Sequence, residues 1–165
     1  MEEIRRDPVT GRAFFVIDVA NVDDFPEKLS LPSHHFVCLI AWDATHATDA
    51  EITKLADQLH WAGCVYVCCW GPDCERVHDA FDLVDIDLRP DGPWRMSTWH
   101  SKEPLGEAIW FSMFSASPVE EFADSCKSIV GLSIGCSTWA SEMREAFAAP
   151  DEFNARILAA VEDEE

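Results

Sequence analysis

Two unbroken apolar runs limit what this chain can become. Phe36 to Trp42 reads FVCLIAW, and Cys64 to Trp70 reads CVYVCCW. Neither alternates polar with apolar residues. A strand of that kind is buried on both faces, the condition of strands in a parallel sheet covered by helices. Between the two runs, Thr48 and Glu51 have the spacing of a capping box, and Ile52, Leu55, Ala56 and Leu59 recur at helical spacing. Gly63 stands where a glycine ends a helix. Strand, helix and strand in that order form a crossover unit.

The pattern repeats along the chain. After Trp70, the turn Gly71-Pro72-Asp73 precedes a helix carrying Val77, Ala80, Phe81 and Val84, with Asp73 as its cap. The end of that helix is ambiguous, because Val84 to Leu88 alternates like a strand. Trp94 to Trp99 reads as a third strand, nearer an edge. Ser101 is placed to cap a helix with Pro104 in its first turn, followed by Leu105, Ala108 and Ile109. Ser117 and Glu120 have capping-box spacing ahead of a short helix. Ser128 to Ile134 is a fourth strand, made small at Gly131. A helix from Ser137 to Ala148 follows, and a last one opens at Pro150 with Phe153, Ile157, Leu158 and Val161 on its apolar side. The acidic end, Glu162 to Glu165, is expected to fray.

At the other end, Asp7 to Arg12 reads as a turn between two short strands, and Pro26 and Pro32 mark residues 19–35 as a connecting segment. The expectation is a single α/β domain over residues 1–165. Residues 1–35 form a hairpin and connector, 36–148 the core units, and 149–165 the last helix and tail. The sheet is mostly parallel, with about four core strands and helices on both faces.

Charge narrows the partners. Thirty-one acidic residues against twelve basic ones give a net charge of −19. That field repels phosphate backbones and anionic lipid, so neither nucleic acid nor membrane is expected as a direct partner. No run of about 18 apolar residues is present, and MEEIRRDP is not a secretory signal as written. Seven cysteines are an odd number, and Cys38, Cys64, Cys68 and Cys69 fall inside the apolar runs. Free buried thiols in a cytoplasmic protein fit this better than a disulfide framework.

In an open parallel sheet, ligands bind beyond the carboxyl ends of the strands, where strand order reverses. The residues expected there are Asp43 and His46, Asp73 and Cys74, His100 and Ser101, and Ser137 and Thr138, flanked by Trp42, Trp70, Trp99 and Trp139. Asp43, Asp73 and His100 are the candidates for acid–base chemistry, and Trp42, His46, Trp70, Trp99, Ser101, Ser137 and Thr138 for ligand contact. The helix-capping and packing roles open to Asp73, Ser101 and the tryptophans compete with this reading.

Sharper motifs fail on their spacing. Cys69, Cys74 and His78 lack a C-x-x-C partner, and the neighbouring Cys68 and Cys69 point to opposite sides of a strand, so no metal site is expected. Gly131-Leu132-Ser133-Ile134-Gly135 matches G-x-S-x-G, but all six histidines precede it, and the Ser…Asp…His order cannot be met. Neither glycine-rich phosphate-loop pattern occurs, though Ile134 to Thr138 ahead of a helix offers amides to one phosphate at most. No cofactor is expected. Two functions remain. One is a non-catalytic acidic protein that docks a basic protein partner, in the manner of an immunity protein, an antitoxin or an accessory subunit. Seven tryptophans and ten phenylalanines supply interface-forming side chains for it. The other is an enzyme or small-ligand sensor using the strand-end crevice. Self-association is compatible with both.

Overall fold

The computed structural model describes residues 1–162. The acidic end beyond them, where fraying is expected, lies outside the described residues, as does the side chain of Val161. In chain order the strands are β1 (Glu2–Arg6), β2 (Ala13–Val19), β3 (His35–Trp42), β4 (Cys64–Trp70), β5 (Met96–His100) and β6 (Cys126–Ile134). The helices are α1 (Asp49–Ala62), α2 (Cys74–Leu88), α3 (Leu105–Phe114), α4 (Glu120–Ala123), α5 (Ser137–Ala148) and α6 (Pro150–Glu162). The fold is α/β, and its six-stranded sheet has the order β1-β2-β6-β3-β4-β5.

Only β1 and β2 pair antiparallel; every other neighbouring pair is parallel. The N-terminal hairpin therefore belongs to the main sheet. Its second strand, Ala13–Val19, aligns residue by residue with Ser128–Ile134 of β6. The parallel core has five strands rather than about four, because AFFVI reads as one arm of a local hairpin until β6 supplies its distant partner.

Chain direction in the sheet explains which face each helix covers. From β3 the chain steps outward to β4 and β5, and the right-handed rule puts both crossover helices on one face. There α1 and α2 bury Ile52, Leu55, Leu59, Val77 and Phe81 against Phe36, Cys38, Ile40 and Trp42. After β5 the chain returns to insert β6 between β2 and β3. The reversed direction puts the next helices on the other face. There α3, α5 and α6 bury Ile109, Met113, Met143, Phe147 and Phe153 against Val37, Leu39, Tyr66 and Cys68. The alternate residues of the two apolar runs thus supply two cores, as expected of strands covered on both faces.

Several local expectations change. The capping box at Thr48 and Glu51 is present, and α1 ends at the left-handed Gly63. Asp73 does not cap α2 with its side chain: its backbone is left-handed at φ 62°, and its carboxylate turns to Arg76. The alternation of Val84 to Leu88 is helix throughout, because Val84 and Asp85 face inward while Ile86 and Leu88 stay exposed. Ser101 is exposed and caps nothing; Pro104 is itself the cap of α3, and the first helical residue is Leu105. Val119, not Ser117, precedes α4, with no side-chain cap. Leu158 is half exposed. No described helix is long and apolar enough to cross a membrane.

Two glycines fix close approaches. Gly71 holds φ at 113°, and a Cβ there would lie 2.4 Å from the Trp42 carbonyl oxygen. Gly131 has no such backbone demand, but a Cβ on it would lie 2.6 Å from Met143 Sδ and 3.1 Å from Phe147. The small residue in β6 lets α5 lie close on the centre of the sheet. Gly71→Ala should cost about 3 kcal/mol, since it combines a strained φ with a backbone clash. Gly131→Ala should cost about 1–2 kcal/mol, since only side chains must give way. Urea denaturation of the two variants checks the order.

Candidate functional site: the crevice at the carboxyl ends of the strands

Strand order reverses where β6 lies between β2 and β3, and a crevice of about 620 Å³ opens at the carboxyl ends of these strands. The volume is within the usual range for small-ligand sites. Gly135, with φ 82°, donates its N–H to the Val19 carbonyl at 2.8 Å and joins the ends of β6 and β2. Trp42 and Trp139 wall the crevice; Asp23, Asp24, Asp43 and Glu51 line it together with His46. No lysine or arginine is among the lining residues.

Asp43 and Glu51 are held by hydrogen bonds from their local chain, and Asp23 by one from a lysine of α1. Asp43 Oδ1 accepts the Thr45 N–H at 3.1 Å, and hydrogen bonds from the Thr45 side chain and backbone hold its pKa below the ordinary value. Glu51 Oε2 accepts from both the N–H and the hydroxyl of Thr48 at 2.7 Å, which lowers its pKa too. Asp23 Oδ1 accepts from Lys54 Nζ at 2.7 Å. The loop bearing Asp43 and His46 is held by Arg76, which donates to the carbonyls of Ala44 at 2.7 Å and Ala47 at 2.9 Å, and to Asp49 at 2.9 Å. The crevice is a fixed, anionic, aromatic-walled pocket. Such a lining favours a cation.

The structure brings Trp42, Asp43, His46 and Trp139 together here. Trp70 stands behind them, edge-on to Trp139 at 5.3 Å, with its indole N–H donating to the Glu103 carbonyl at 2.9 Å. Ser137 and Thr138 are exposed at the start of α5 and do not line the crevice. Asp73 and His100, at the ends of β4 and β5, lie outside it as well. Asp73 is paired with Arg76 at 2.8 Å. His100 is buried against Phe111, 3.1 Å from Thr98 Oγ1 and 3.4 Å from Glu103, and burial lowers its pKa against the opposing pull of Glu103. Trp99 lies on the outer edge against His78, and Ser101 is exposed. The three acid–base candidates therefore do not converge. Ser133 is fully buried and donates to the Cys136 carbonyl at 2.7 Å, so it is a strand residue and not an exposed nucleophile. Burial pushes the Cys68 thiol up to about 12. Among the described residues no group of three or more His, Cys, Asp or Glu side chains is arranged to hold a metal ion.

Sequence reasoning missed a polar cluster at the opposite end of the sheet. His60, Asp85 and Arg95 are each at least nine-tenths buried. Asp85 Oδ1 lies 3.6 Å from His60 Nδ1 and 3.5 Å from Arg95 Nε. These three atoms are sealed from solvent without a hydrogen bond. The signal was present in the sequence: His60 follows Leu59 and Asp85 follows Val84, each on the apolar stripe of its helix.

The cluster makes stability depend on pH. Burial, then the charges of Arg95 and Arg89, lowers the His60 pKa to about 4. The unfolded chain takes up this proton near pH 6.5 and the folded chain does not, so stability is lost as pH falls from 6.5 towards 4. His35 and His100, both also lowered by burial, act in the same direction. Asp85 is raised by burial and offsets part of the loss. His60→Gln should remove about 2 kcal/mol of the loss between pH 7 and pH 4.5. Urea denaturation at the two pH values measures it.

No curated protein matches the chain, and no solved structure matches it. One family model does, over residues 15–150, from within β2 through α5 to the first residue of α6. That span holds the parallel sheet, the crevice and the buried cluster, and the chain belongs to the family described as domain of unknown function DUF7684.

Proposed function

We propose that the protein is a non-catalytic binding protein that docks a basic protein partner, and that the crevice between β2, β6 and β3 receives a lysine or arginine side chain of that partner. The observation that carries this reading is the lining: four carboxylates, two tryptophans and His46, with no lysine or arginine among them, and of the four carboxylates only Asp23 already meets a cation of the chain, Lys54. Carboxylates beside an aromatic face favour a guanidinium or ammonium group. The net charge of −19 would speed the encounter with a basic surface, and the crevice would fix its register. The acid–base alternative loses support because Asp43, Asp73 and His100 stand apart. A cytoplasmic setting is part of the proposal, supported by seven unpaired cysteines, five of them buried. A small cationic ligand has the same recognition chemistry and is the second reading.

The test is calorimetric titration with a hexa-arginine peptide and with free arginine amide. Asp24→Asn combined with Asp43→Asn should weaken peptide binding roughly tenfold. Asp151→Asn with Glu152→Gln on α6 removes the same charge away from the crevice and should have a much smaller effect. Equal weakening by the two pairs would show attraction to the whole acidic surface and contradict the proposal. Arginine amide binding as tightly as the peptide would favour the small-ligand reading.

A further inference from the structure

The amino ends of β3, β4 and β5 carry the opposite chemistry. A cavity of about 690 Å³ lies between the start of β3, the end of α1 and the segment leading into β5. His34, His35, His60, Trp61, Arg89 and Arg95 line it, and no carboxylate does. In a chain with twelve basic residues and thirty-one acidic ones, two arginines and three of the six histidines around one cavity need an explanation.

Packing supplies part of it. Arg95 Nη1 donates to the carbonyls of His60, at 3.0 Å, and Cys64, tying the end of α1 to the start of β4. Its guanidinium also lies 5.9 Å from the Phe122 ring. The Nδ1 of His60 and Nε of Arg95 turn away from the cavity towards Asp85 Oδ1, at 3.6 and 3.5 Å. Arg89 lies against Gly92, lines the cavity and forms no salt bridge among the described residues, so its charge is left for a ligand. Burial first, and the charges of Arg89 and Arg95 second, keep the imidazoles of His35 and His60 from taking up a proton, so the positive charge at the cavity is that of the two guanidinium groups. Two guanidiniums at a cavity that no carboxylate lines favour an anion.

The cavity is also firmly built. Gly63, with φ 100°, lets the His34 carbonyl come so close that a Cβ would lie 2.3 Å from its oxygen. His35 Nδ1 is within 2.7 Å of Ser125 Oγ, and its ring lies 4.7 Å from Phe122. Trp61 is 77% exposed at the rim, edge-on to His60. A flat apolar surface beside the charged groups suits a ligand with an organic body.

We propose that this cavity binds a small phosphate monoester. Arg89 and the exposed imidazole of His34 take the phosphate group, the recessed Arg95 adds its charge from behind, and Trp61 packs against the organic body. The overall negative field slows approach of an anion, but the recessed guanidinium groups set the local potential, and exposed charges more than about 8–10 Å away are screened at physiological salt. Two guanidiniums match the charge and the acceptor oxygens of a phosphate dianion better than those of a single carboxylate.

The experiment is calorimetric titration of the whole chain with inorganic phosphate, phenyl phosphate and phenol. Phenyl phosphate should bind most tightly, inorganic phosphate more weakly, and phenol not at all. Arg89→Gln should weaken both phosphates about tenfold. Should that variant fail to fold, His34→Ala is expected to weaken both phosphates to a lesser degree. Trp61→Ala should weaken phenyl phosphate and leave inorganic phosphate unchanged, which separates a phosphomonoester site from a site for free phosphate. Absence of binding by both phosphates at about 10 mM would overturn the proposal. So would wild-type affinity in a folded Arg89→Gln protein, or phenol binding as tightly as phenyl phosphate.

Discussion

Burial of the parallel strands on both faces is the constraint from which the rest of this structure follows. With Leu39, Val67, Cys68, Val130 and Leu132 fully buried, the centre of the sheet has no polar face to offer. Backbone groups inside the sheet are paired, and apart from Ser128 and Ser133 of β6 the side chains at its centre are apolar. Polar chemistry is left to the two ends of the strands, and the chain uses them differently. The carboxyl ends present carboxylates around tryptophan; the amino ends present arginine and histidine around tryptophan. An acidic protein with a cationic cavity at one pole is a division of charge that net charge alone does not reveal.

Insertion of β6 is what creates the first of these sites. The strand arrives late in the chain and fits between β2 and β3, pairing in parallel with both. Its end brings Ile134 and Gly135 beside Trp42, and the helix that follows carries Trp139 to the crevice wall. Gly131 permits the close seat of α5 on which that placement depends. The crevice is thus a consequence of topology, and Arg76 preserves it by bonding the Asp43 loop from behind.

Much of this could be read in the sequence, for reasons that also mark where reading stopped. FVCLIAW and CVYVCCW declare their environment without any partner in view, and Thr48, Glu51 and Gly63 are local signals obeyed locally. The layered fold and the general position of a crevice follow from these. Strand order does not, because pairing Ala13–Val19 with Ser128–Ile134 is a long-range choice. That is why Asp43 and Asp73, equivalent in the sequence as residues after core strands, part company: one faces the reversal point and the other bonds Arg76. The caps assigned to Ser101 and Asp73 failed because proline and a left-handed backbone took over those helix starts. His60 and Asp85 lay on apolar helical stripes, yet their meaning depended on Arg95, which no periodicity connects to them.

The central claim, that the crevice at the strand reversal receives a basic side chain, is tested most directly by mapping amide and indole NMR shifts as an arginine-containing peptide is added. The account predicts that the largest changes gather at Trp42, Asp43, His46, Gly135 and Trp139, with the indole signals of Trp61 and Trp94 unmoved. Changes spread evenly over the acidic surface, or centred on any other face, would contradict it.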